Sequence, residues 1–176
     1  MSLVTEDGTG LSNSNAYTDL TSAASYHADR NNTAWAAADV PTQTAALIKA
    51  TSYIDGKYRP RWTGMKAFPK QALQWPRIGA VDASGYLLPD GSVYQYLLSG
   101  IPPALIAATC EAALIEVGKS GALMPQLDRG GLVEEVQVGP VRKRYQAGAP
   151  GLPRFLAVDY AIAQICLPSS GLKITR

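Results

Sequence analysis

The sequence predicts a mainly α-helical protein, a bundle of about four helices with one β-hairpin and long ordered loops. Two stretches repeat apolar residues at helical spacing, a third is almost continuously apolar, and two short β-type runs flank Gly139-Pro140. The chain has 176 residues, of which 47% are apolar and 17% charged, so it is long enough to bury a core of its own. We therefore expect a single domain spanning residues 1–176.

The N-terminal part is predicted to be an arm followed by a helix. Residues 1–16 are rich in Gly, Ser, Asn and Thr, which favours an extended arm or loop. Thr18 is placed to cap a first helix that runs to about Asp29, and Asn31-Asn32 ends it.

The second helix is predicted to begin at Asp39, an N-cap residue followed by Pro41 in the first turn. Pro60 ends it. Steps of four, three and four residues predict one buried stripe, formed by Leu47, Thr51, Ile54 and Tyr58.

Residues 59–100 are interrupted too often by Pro and Gly to form long elements, and we predict an ordered connection with short turns. Its large apolar side chains are too numerous to leave in water, so we expect them to be buried. They are Trp62, Phe68, Leu73, Trp75, Ile78 and Leu87.

The remaining elements follow from the second half of the chain. Pro102-Pro103 opens a third helix, Ala104 to about Gly118, in which eleven of the fourteen residues 104–117 are apolar. Residues 132–138 and 141–145 predict the two strands of the hairpin. A last helix has Phe155, Val158, Ile162 and Ile165 on one face, and Pro168 separates it from a tail at residues 169–176.

The residues offer little support for catalysis, a cofactor or a metal. His27 is the only histidine, and Cys110 and Cys166 lie in apolar patterns where thiols are typically buried. Free thiols favour a reduced intracellular compartment. The carboxylates near Gly130-Gly131 match no oxygen-ligand loop. We expect a non-enzymatic protein without cofactors.

The same residues argue against a membrane protein. The N-terminus lacks a basic region followed by an apolar run, and the longest apolar segment is too short to cross a bilayer. The net charge of +2 does not indicate a nucleic-acid or membrane partner by bulk electrostatics. We therefore expect a soluble protein.

One basic patch, Arg142-Lys143-Arg144-Tyr145, has two interpretations. It binds phosphates, with bases stacked on exposed tryptophans, or it is a solvated strand whose charges prevent edge-to-edge aggregation. The tryptophans stand beside Pro and Gly in apolar company, as core residues do, which favours the second interpretation.

The chain as a whole resembles a family of small tailed-phage and prophage proteins. The pattern extends from Val4 to Leu167, and its most specific part is the block Leu73-Gln-Trp-Pro-Arg77 followed by Ile101-Pro102 and a helix. Other matching blocks are residues 4–13, Tyr26 to Arg30, residues 46–55, residues 108–112 and residues 127–131.

The resemblance implies two different functions. Members look like helical head–tail connector, or adaptor, proteins, which form a homo-oligomeric ring of about twelve copies between the portal protein and a stopper or tail-completion protein. In that case the chain acts in the neck of the virion after assembly in the host cytoplasm, and genomic DNA passes through without sequence-specific binding. The family is also labelled as DnaT-like single-stranded-DNA-binding protein, which is the alternative.

The connector interpretation gives a set of interface candidates. Rigid aromatic and arginine anchors suit contacts between subunits, but Trp75 packing in the monomer core beside a solvated Arg77 explains the same residues equally well. The alternating tail suits docking to a portal groove, against the alternative of a frayed terminus. The candidates are Trp62, Trp75, Arg77, Arg142, Arg144, Leu172, Ile174 and Arg176.

Overall fold

The computed structural model describes residues 2–125, 135–138, 141–144 and 153–166. These residues form five α-helices, named in chain order α1 (Leu20–Ala28), α2 (Thr33–Ala37), α3 (Val40–Tyr58), α4 (Pro103–Gly118) and α5 (Leu156–Ala163). They also form three two-stranded antiparallel sheets. The prediction of a mainly helical fold with a β-hairpin is confirmed.

The strands are short. Strands β1 (Met65–Lys66) and β2 (Arg77–Ile78) pair with each other, as do β3 (Tyr86–Leu87) and β4 (Val93–Tyr94). Strands β5 (Glu135–Val138) and β6 (Val141–Arg144) form the predicted hairpin. The predicted segment 59–100 is therefore an ordered connection with short turns, as expected.

The core is built around α4. This helix packs between α3 and α5, and α1 and α2 also contact it. The predicted stripe of α3 is buried throughout, and each fully buried apolar side chain of this size contributes about 1.5–3 kcal/mol. Burial extends over more than one face of α4, which explains why that helix is apolar on most of its circumference. Its buried residues are Leu105, Ala108, Thr109, Cys110, Ala112, Ala113 and Glu116.

The start of the first helix differs from the prediction. Asp19, not Thr18, is the N-cap, and its carboxylate accepts a hydrogen bond from the backbone N–H of Ser22 at 2.8 Å. Thr18 is instead buried before the helix begins. Helix α2 was not predicted, and it buries Trp35 against His27 with 4.5 Å between the ring centroids.

The N-terminal arm is organised by a buried carboxylate. Glu6 accepts hydrogen bonds from the backbone N–H groups of Gly8, Gly10 and Leu11 and from the hydroxyl of Ser14, at 2.8–3.1 Å. The arm is a loop, as predicted, but this one side chain satisfies four of its polar groups. It is therefore an integral part of the fold.

Candidate interaction surface

The loop between α3 and α4 carries a two-stranded ribbon, β1–β2. Met65 lies directly opposite Ile78, and Lys66 lies directly opposite Arg77. Because neighbouring residues of a strand point to opposite faces, the ribbon has Met65 and Ile78 on one face and Lys66 and Arg77 on the other. Met65 and Ile78 are 70% and 61% exposed, whereas Lys66 and Arg77 are half-buried.

A second short pairing follows the ribbon in the same loop. Val81 forms an isolated antiparallel bridge with Leu97, which is 74% exposed. The backbone carbonyl of Ala80 accepts a hydrogen bond from the backbone N–H of Leu98 at 2.8 Å, so this second pairing is anchored in the fold. We define the apolar strip as Met65, Ile78 and Leu97.

Two predictions of burial in this loop were wrong. Ile78 belongs to the apolar strip, and Phe68 is 43% exposed. Phe68 lies over Gly10 of the arm so closely that a Cβ on that glycine would come within 2.2 Å of its ring. Helical or strand periodicity could not identify these positions, because strands of two residues are too short to display a pattern.

The predicted block around Trp75 is a tightly bonded unit. Trp75 is fully buried, is followed by a cis peptide bond to Pro76, and meets Trp62 edge to face with 6.1 Å between ring centroids. The two tryptophans are thus interior anchors of the loop, and Trp35 is buried as well. The exposed tryptophans required by the stacking hypothesis are not found.

Arg77 holds the ribbon from within the same subunit. Its guanidinium donates hydrogen bonds to the backbone carbonyls of Thr63 (2.8 Å), Gly64 (2.6 Å) and Gln74 (3.3 Å). It also lies over the Trp62 ring, 5.9 Å from the centroid. These contacts explain why an arginine follows Trp75-Pro76: its fork of donors joins both ends of the loop.

A buried polar cluster fixes the loop to α3 and to Tyr17, the residue that follows the arm. The hydroxyl of Tyr17 hydrogen-bonds to Asp55, and the other carboxylate oxygen of Asp55 accepts the backbone N–H of Gln74 at 3.0 Å. The hydroxyl oxygen of Tyr17 accepts the N–H of Trp75 at 3.2 Å. Burial raises the pKa of Asp55 to about 6, despite its hydrogen bonds and the nearby positive charges of Lys66 and Arg77.

The other interface candidates lie elsewhere. In the hairpin, Arg142 is in register with Gln137 and Arg144 with Glu135. Leu172, Ile174 and Arg176 lie outside the described residues. The structure thus brings together Trp62, Trp75 and Arg77, while the hairpin and the tail remain separate candidates.

Away from this loop, the described residues include a shallow cavity and two free thiols. Within the part of the chain that the structure describes, no three His, Cys, Asp or Glu side chains come together as metal ligands. A shallow cavity of about 440 Å³ beside α1 and α2 is lined by His27, Trp35 and Gln43 among small residues. Cys110 and Cys166 are free and buried, and burial raises the pKa of both thiols. No described helix is long and apolar enough to cross a membrane.

The fold and this surface define a small, mainly helical protein that exposes an ordered, two-faced ribbon. The whole chain, residues 1–176, matches the model of a family described as "Putative DnaT-like ssDNA binding protein", and the chain belongs to that family. This description agrees with the single-stranded-DNA alternative rather than with the connector interpretation. No curated protein matches the chain. No solved structure matches it either.

Proposed function

We propose that the protein is a non-enzymatic head–tail connector of a tailed phage or prophage, which forms a ring on the portal and offers a surface to the next neck or tail protein. The observation that carries this proposal is the apolar strip of Met65, Ile78 and Leu97, three large side chains at least 61% exposed on ordered backbone. Neighbouring exposed apolar side chains, such as Met65 and Ile78 across the ribbon, are typical of protein interfaces.

A ring requires contacts in which one patch meets a different patch on the neighbour. The backbone below the strip is already fixed by the guanidinium of Arg77 and by the Asp55 cluster. Fixing the loop before assembly reduces the entropy that is lost on association. On this proposal, Trp75 and Arg77 act indirectly, because they hold the strip in place.

The strip can be tested with a double substitution, Met65→Ser and Ile78→Ser. We expect the helical circular dichroism and melting temperature to stay near those of the unchanged protein, since both side chains face solvent. Co-sedimentation with the phage portal protein is expected to need at least about tenfold more of this variant, because two apolar anchors are lost.

The matched control is Val40→Ser with Leu156→Ser, which removes two side chains that are 59% and 56% exposed on helices α3 and α5. This control is expected to assemble like the unchanged protein. Cryo-electron microscopy of virions supplies the independent reading: a ring of this chain at the portal is the expected result. Its absence from intact virions would count against the connector role.

Single-stranded-DNA binding is the second candidate, favoured by the description of the family. All three tryptophans are buried, so they are not accessible to nucleic-acid bases. In this function the bases would stack on exposed aromatic side chains such as Phe68, Tyr94 and Tyr96. The two functions differ in their response to salt. DNA binding falls steeply as salt is added, whereas assembly depends mainly on the concentrations of the protein and the portal.

A further inference from the structure

Positive charge is concentrated in one part of the chain. No Asp or Glu occurs between Asp55 and Asp82, yet this interval holds six cations: Lys57, Arg59, Arg61, Lys66, Lys70 and Arg77. The net charge of the whole chain is +2, so the residues outside this interval together carry −4. The small total therefore conceals a strongly basic segment.

The fold keeps several of these charges close together. Lys66 and Arg77 lie directly opposite each other on β1 and β2, an arrangement that is unfavourable for like charges. Burial lowers the pKa of Arg77, the charges of Tyr17 and Asp55 oppose this, and the neighbouring charge of Arg59 lowers it further. Arg59 is thus near Arg77, and exposed Lys70 lies in the turn that joins the two strands.

Carboxylates of the described residues leave most of this charge uncompensated. Lys57 does form an ion pair, since its ammonium lies 2.7 Å from the Asp159 carboxylate. Lys66 and Arg77 donate hydrogen bonds to neutral backbone carbonyls. Their charges lower the pKa of Asp55, but neither forms an ion pair with it within 4.0 Å.

Arg59 and Lys70 are exposed, and they too form no ion pair with the carboxylates that the structure describes. We define the cationic face as Arg59, Lys66, Lys70 and Arg77. Among the four, Lys66 and Arg77 act on the charge of Asp55, and Arg59 acts on Arg77.

We propose that the cationic face binds the sugar–phosphate backbone of a nucleic acid without regard to sequence. The closely spaced phosphates of a nucleic acid can neutralise side-chain cations that form no ion pair within the protein. Binding also releases the counterions of the nucleic acid, which favours the complex. Partly exposed Phe68, between Lys66 and Lys70 in the chain, adds an aromatic surface for an unpaired base. The proposal goes beyond the connector role, which requires no affinity for DNA, and it assigns a site for the second candidate function.

The test is fluorescence anisotropy with a labelled thirty-nucleotide oligothymidine over a series of salt concentrations, using the full chain. The variant is Arg59→Gln with Lys70→Gln, which removes two exposed charges that make no hydrogen bond among the described residues. We expect binding about tenfold weaker at low salt and a slope of log affinity against log salt smaller by about 1.4, since each phosphate contact to a single strand contributes about 0.7.

Two controls locate the site. Arg30→Gln with Lys119→Gln removes the same charge from other regions and is expected to bind nearly as well as the unchanged chain. Arg142→Gln with Arg144→Gln removes the charges of the hairpin and is expected to keep the salt slope. If the hairpin variant alone loses binding, the cationic face is overturned while DNA binding itself stands. If the unchanged chain does not bind at low salt, both the face and the second candidate function fail, and the portal assay of the connector is unaffected.

Discussion

At the scale of single residues, Asp55 is the most informative position. Its carboxylate is held between the Tyr17 hydroxyl and the Gln74 backbone N–H, and burial raises its pKa to about 6 from an ordinary 3.8. A carboxyl group with a raised pKa binds its proton more tightly in the folded than in the unfolded protein. Its contribution to stability is therefore fully present below pH 4 and is lost as the pH rises to about 6.

The raised pKa of Asp55 predicts a measurable difference from the variant Asp55→Asn. Between pH 4 and pH 6 the unfolding free energy of the unchanged protein is expected to fall, relative to the variant, by at most about 3 kcal/mol. Denaturant titrations at several pH values measure this difference. Taking the difference from the variant removes the shared effect of Glu116 and Asp159, whose lowered pKa values act at more acidic pH. Parallel curves over this interval would contradict the role of Asp55.

Single residues also mark where sequence reasoning succeeded. Asp39 caps α3 as predicted, because a carboxylate followed by proline in the first turn is a local signal. The role of Glu6 could not be predicted from the sequence, because its four hydrogen-bond partners come near its carboxylate only in the folded arm. The exposed Ile78 was missed for a related reason: its partner Met65 is thirteen residues away along the chain.

At the scale of elements, the ribbon depends on a glycine at its base. Gly64 has a φ of +68°, and a Cβ there would lie 2.3 Å from the backbone carbonyl oxygen of Ile78. Gly79, directly after β2, has a similar φ of +71°, but the nearest atom to an added Cβ is 4.0 Å away. A side chain at Gly79 would therefore be strained only by its backbone conformation. A side chain at Gly64 would be strained by its conformation and also by steric overlap with β2.

Gly79→Ala is expected to lower the unfolding free energy by about 1–2 kcal/mol, the cost of a left-handed conformation for a residue with a side chain. Gly64→Ala is expected to cost about 3 kcal/mol or more, because the backbone of β2 must also move. Urea denaturation of both variants measures the difference. Equal losses would mean that the close approach of the two strands does not contribute.

The helices were easier to predict than this loop. Helix α3 and helix α4 are long enough for the 3.6-residue period to repeat several times, and their bounds agree closely with the predicted ones. Helix α2 has five residues and was missed, since one turn cannot establish a period. The cationic face was visible in the sequence as an interval without carboxylates, but the small net charge of the whole chain obscured it.

At the scale of the whole molecule, the two proposed surfaces share one ribbon, where Met65 and Ile78 lie on one face and Lys66 and Arg77 on the other. The apolar strip is suited to a protein neighbour and the cationic face to phosphates, so the ribbon contributes to both proposed surfaces. Substitutions in the strip and in the face are expected to affect assembly and DNA binding separately, because the Met65–Ile78 and Lys66–Arg77 pairs point in opposite directions.

The C-terminal tail, residues 169–176, provides the last test of the connector role. Leu172 and Ile174 alternate with polar residues, which suits an extended segment that docks in a groove or adds to a sheet edge. Deleting residues 171–176 is expected to leave the melting temperature unchanged and to abolish co-sedimentation with the portal.

The pair Leu172→Ser and Ile174→Ser in the full chain is expected to reproduce that loss, and Lys173→Ser to retain docking, because the apolar positions supply the contact in this interpretation. A deletion that docks normally would remove the tail from the interface and leave the apolar strip to account for assembly.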